Sequence, residues 1–119
     1  MELEQIGEWA FIVGVIIAVL SGVVYKYLSG VEVWIPLVLV ILGIIVGLLN
    51  IKDKETTPFL IASIALLATN GMEQFFNIND AIPGLGTVIF RIFDYISVFV
   101  APAAIIVAVV TINKLAMKK

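Results

Sequence analysis

The chain has 119 residues, of which 62% are hydrophobic and only 13% charged, and its formal net charge is −2. Charge that sparse cannot cover a soluble fold, and the lack of any basic stretch longer than Lys118-Lys119 argues against a nucleic-acid partner. With no Cys and no His, disulfides, thiolate zinc, iron–sulfur clusters, the usual transition-metal and haem ligands and the commonest general base are all excluded, so no metal and no cofactor are expected.

Met1 to Glu8 carries three acids and no Lys or Arg, the reverse of the leading region of a signal peptide, so the first apolar run is expected to be a retained helix. The acids fall at the start of that helix, where its positive dipole end favours them. Four uncharged runs follow, Trp9 to Tyr25, Val33 to Ile51, Thr56 to Met72 and Tyr95 to Asn113, with lengths of 17, 19, 17 and 19 residues. A helix rises about 1.5 Å per residue and the hydrocarbon core is about 30 Å thick, so each run with its flanks can cross a bilayer. The spans are expected at about 9–28, 33–51, 57–76 and 88–114 within one integral domain, 1–119.

Pro36 and Pro58 fall in the first turns of the second and third helices, where a missing N–H costs little. Trp9, Trp34, Tyr25, Tyr27 and Tyr95 stand at run ends and read as interfacial anchors. The first two connections, around Ser29 to Glu32 and Lys52 to Glu55, are short enough to force antiparallel neighbours. The third, Asn77 to Thr87, mixes turn formers with apolar residues and is expected to lie along the membrane surface. A helix from Thr87 to Lys118 would exceed the bilayer core. It therefore starts outside the hydrocarbon with Arg91 and Asp94 paired at headgroup depth, or bends after an interfacial piece at Val88 to Phe93. The first arrangement is preferred.

The fold class is thus all-α, a membrane-spanning antiparallel four-helix bundle with its fourth helix kinked near Pro102. With four spans, the N-terminus, the 52–55 connection and the C-terminal lysines fall on one side. Five basic residues (Lys52, Lys54, Lys114, Lys118, Lys119) share one side and two (Lys26, Arg91) the other, which places both termini in the cytoplasm of a cell-membrane protein.

Helix association in a bilayer relies on small residues that let backbones approach. Gly14, Ala18 and Gly22 repeat at a spacing of four in the first helix, Gly43 and Gly47 in the second, and Ala104 and Ala108 in the fourth. These faces serve packing within the bundle or self-association. Pro102 leaves the Val98 carbonyl without its usual partner, and reads as a fixed bend or as a hinge.

Asn70, Glu73, Gln74 and Asn77 follow i, i+3, i+4, i+7 spacing, so a continuing helix gathers them on one face at the end of the third span. A carboxylate among amides can bind a cation or relay a proton; near the interface it is instead a solvated cap that pairs with Arg91 or Lys26. No nucleophile has a base beside it, because Ser21, Ser29, Ser63 and Ser97 have no His partner, and an enzyme is not expected.

The segments Glu55 to Ala62, Ile82 to Gly86 and Phe99 to Ala108, with Phe99-Val100-Ala101-Pro102-Ala103-Ala104 the most specific piece, resemble a group of small archaeal four-helix membrane proteins. The resemblance covers about half of the chain and implies an archaeal source; it brings no activity and no functional residues. Small multidrug-resistance exporters of similar length carry an essential carboxylate inside the first helix, where this chain is uncharged from Trp9 to Tyr25. Two functions remain. One is a structural or assembly subunit that packs with itself or another membrane subunit, with the lipid bilayer as its surroundings. The other is an oligomeric conduit for an ion or small solute, lined by Asn70, Glu73 and neighbouring polar groups.

Overall fold

The computed structural model describes residues 2–49, 56–69 and 74–117, and of Glu4, Thr69 and Gln74 only the main chain. Among the described residues the fold is all-helical. In chain order the elements are α1 (Leu3–Val23), α2 (Trp34–Leu49), α3 (Thr56–Thr69), α4 (Gln74–Asn77) and α5 (Leu85–Met117), with single 3-10 turns at Tyr25–Tyr27 and Ile78–Asp80.

α1 begins well before Trp9. The Glu2 main-chain N–H donates to Gln5 Oε1 at 3.1 Å, which ties down the start of the helix. Its other end falls short of the expected 28, since the chain tightens after Val23 into the 3-10 turn, and Gly30 then adopts φ +93° in the connection to α2. Pro36 and Pro58 occupy the first turns of α2 and α3. α1, through Gln5–Val23, and α5 are long and apolar enough to cross a membrane. Among the described residues α2 and α3 count 16 and 14, fewer than the roughly 20 that a crossing helix uses.

α5 organises the molecule. Its 33 residues make a rod of about 50 Å, close to the 54 Å long dimension of the whole fold. α1, α2, α3 and α4 all pack on it, and α1 and α2 also pack on each other, whereas α3 is held chiefly by α5. Paired contacts fix the directions. Gly14 faces Phe99 and Gly22 faces Ile92, so α1 runs antiparallel to α5; Gly43 faces Phe99 and Gly47 faces Ala103, so α2 runs parallel to it. Thr57, near the start of α3, shares a cleft with Lys114, while Phe75 of α4 stacks on Phe93, so this stretch also runs antiparallel to α5.

The core is a single cluster of Ala10, Ala18, Leu39, Val46, Tyr95, Phe99 and Ala103. Tyr95 belongs to this core and is not an interfacial anchor, because the register of α5 turns it in line with Phe99, one helical turn on. Trp9, in the second turn of α1, and Trp34, the first residue of α2, are by contrast exposed. α5 remains one continuous helix across Pro102. It is also unbroken between Val88 and Phe93, which form part of the helix and no separate interfacial piece.

Candidate functional site

The small-residue faces of α1 and α2 are spent inside the molecule. A Cβ built on Gly14 would strike the Phe99 ring, and one on Gly22 would lie 2.6 Å from the Ile92 nitrogen. At Gly43 it would collide with the Phe99 carbonyl oxygen and sit 2.7 Å from Pro102 Cγ; at Gly47 it would be 3.0 Å from the Ala103 Cα. Ala18 is fully buried. On α5 the residues nearest these glycines are Ile92, Phe99, Pro102, Ala103 and Ile106, while the expected Ala104 and Ala108 are half-buried further round the helix. One residue rotates a helix by about 100°, so a repeat of four fits either register on paper and only one in space.

Of the polar stripe, Asn70 and Glu73 lie outside the described residues. Gln74 opens α4, and Asn77 closes it with an exposed side chain. Arg91 and Asp94 do not pair: among the described residues no ion pair joins them, and the Arg91 guanidinium instead lies over the Tyr25 ring, 5.2 Å from its centroid. An exposed pair on one helix is worth only a few tenths of a kcal/mol, and a cation over an aromatic face competes with it at about 0.5–1 kcal/mol.

Where α4 meets the start of α5, the chain is locked by contacts that spacing alone does not display. Asn79 Oδ1 accepts from the Thr87 main-chain N–H at 3.2 Å, and Asn79 Nδ2 donates to Thr87 Oγ1 at 2.9 Å. The amide thereby satisfies one of the free donors in the first turn of α5, the service an N-cap side chain performs. Gly84, at φ +85°, makes the turn, and Gly86 lets the Phe75 carbonyl reach the helix so closely that no Cβ would fit. Phe75 stacks on Phe93 with centroids 5.3 Å apart, and Phe76 tilts against Phe90 at 4.8 Å. The only sequence signal for this lock is the position of an Asn just ahead of the Ile82-Pro83-Gly84 turn.

Two clefts flank α5 at opposite ends. One, of about 340 Å³, is lined by Thr56, Thr57, Thr111, Lys114 and apolar residues of α2 and α5, and Thr111 Oγ1 donates back to the Val107 carbonyl at 2.7 Å. The other, of about 410 Å³, lies between the 3-10 turn at Tyr25–Tyr27 and the Ile82 to Val88 stretch. Lys26 is the only charged residue among the described residues that line it. No group of three or more His, Cys, Asp or Glu is placed to hold a metal among the described residues. Ser97 Oγ is buried in α5 without a hydrogen-bond partner. Comparison with known protein families, curated proteins and solved structures returns no match.

Proposed function

We propose that this chain is a four-pass membrane protein that acts as a structural or assembly subunit, with both termini on the cytoplasmic side. The observation that carries the reading is the distribution of its surface. Large apolar side chains such as Ile16, Leu20, Ile41, Leu48, Ile64, Ile105 and Ile112 point outward, while the described charged residues stand near a helix end or in a connection, save Arg91 and Asp94, which lie within the first three turns of α5. Such an exterior suits hydrocarbon, because an apolar patch of this extent would be unstable in water. Four crossings are supported by the placement of Thr57 of α3 beside Lys114 and of Phe75 of α4 on Phe93, positions 21 residues apart (114 − 93) on α5 and so separated by about 32 Å of helix.

An assembly role follows from what fills the interior. Apolar side chains and glycine contacts close the space between α1, α2 and α5, leaving outward faces as the working surface. α3, in which Ser63 is the only buried side chain among those described, offers such a face. The test is to extract the protein from its native membrane in mild detergent, cross-link before extraction, and identify the species by mass. A defined homo-oligomer or a stoichiometric membrane partner supports the reading. A strictly monomeric protein that conducts protons, sodium, potassium or chloride in reconstituted vesicles overturns it in favour of a conduit.

A further inference from the structure

We propose that the cleft between the Tyr25–Tyr27 turn and the Ile82 to Val88 stretch seats one anionic phospholipid, with Lys26 at its phosphate and Val23, Leu85 and Val88 under the first part of an acyl chain. The proposal rests on the membrane reading above and adds a ligand class to it.

Depth comes first. Val88 opens the expected fourth span, 88–114, and Val23 ends α1 within the uncharged run Trp9 to Tyr25, so under the membrane reading the cleft stands where hydrocarbon gives way to headgroups. At headgroup level apolar surface is normally covered, yet here Tyr27, Ile82 and Leu85 are exposed at 84%, 55% and 37%. An amphiphile covers such a surface; a free phosphate ion would leave it wet. Charge selects among amphiphiles. Lys26 is the sole charge among the described lining residues, and Arg91, fixed over Tyr25, adds a second cation behind that wall.

Size and rigidity agree with this. A volume of about 410 Å³ falls within the range of small-molecule sites. One wall is held by the Tyr27 N–H to Val24 carbonyl bond at 2.8 Å and by Arg91 on Tyr25, the other by the Asn79–Thr87 clamp. Walls that are already ordered lose little freedom on binding.

The experiment uses the full chain in dodecyl maltoside, titrated with dioleoyl phosphatidylglycerol or dioleoyl phosphatidylcholine and read by native mass spectrometry. One phosphatidylglycerol should be retained with a preference of about fivefold, the size expected for one basic residue at a lipid surface. Lys26→Gln should bring the two lipids to parity, Val88→Trp should weaken both by filling the floor, and Lys114→Gln at the far end should leave the preference intact. Equal retention by the unaltered protein, or a preference that survives Lys26→Gln, overturns the site. Failure of the underlying membrane reading shows separately, as release of the chain from membranes by alkaline carbonate.

Discussion

Gly43 lies against the main-chain carbonyl oxygen of Phe99, at a separation that leaves no room for a side chain. The Phe99 ring meanwhile covers Gly14 of α1, so one residue of α5 joins both neighbouring helices, by its ring on one side and its backbone on the other. A backbone carbonyl inside a helix cannot move aside as a flexible side chain can, and close Cα–H to carbonyl contacts of this kind recur where helices touch through glycine.

Gly43→Ala is therefore expected to destabilise the bundle by about 1–3 kcal/mol. Gly47→Ala, whose contacts at 3.0–3.1 Å need only a small shift, should cost less. Replacing both by Ile should be worse than either. Thermal unfolding in detergent reads the order, and an unchanged midpoint for Gly43→Ala would remove this glycine from the interface.

Asn79→Ala deletes both bonds to Thr87 and should lower stability by about 1 kcal/mol, the usual worth of a helix cap. Asn79→Asp keeps an acceptor for the Thr87 N–H and should recover most of that loss. Equal behaviour of the two variants would mean that the clamp contributes nothing. The readout is the thermal midpoint, with hydrogen exchange at the start of α5 as a local check.

Ser97→Ala removes a buried hydroxyl that has no partner. Stability should stay level or rise by up to about 1–3 kcal/mol, the penalty of an unsatisfied buried polar group. A clear drop in the unfolding midpoint would show that the hydroxyl is engaged.

The absence of native cysteines allows single-cysteine topology mapping. A cysteine at Asp80, exposed on the second 3-10 turn, should react with impermeant thiol reagents in intact cells, and one at Lys119 should be shielded. The reverse pattern would invert the orientation.

The helices were legible in the sequence because long uncharged stretches and first-turn prolines are one-dimensional signals. Register was not. Whether Ala103 or Ala104 meets Gly47 depends on a rotation of about 100°, which needs the second helix in place before it is decided. Tyr95 fell on the wrong side for the same reason, since a run-end position looks alike in core and interface. The Arg91 contact with Tyr25 joins residues far apart in the chain, and a nearby Asp94 made a local pairing look sufficient. The polar stripe of Asn70, Glu73, Gln74 and Asn77 presupposes one continuing helix, and Asn70 and Glu73, which would join its two parts, lie outside the described residues.

The length of α5 has a mechanical consequence for the membrane arrangement proposed above. Its 33 residues make about 50 Å of rod, roughly 20 Å more than the usual hydrocarbon thickness. In that arrangement the helix either leans or carries its ends out past the lipid. Each ångström of mismatch costs a fraction of a kcal/mol, enough to favour one membrane thickness over another. A rod of this length would then act as a lever, and its tilt would become a gauge of bilayer thickness.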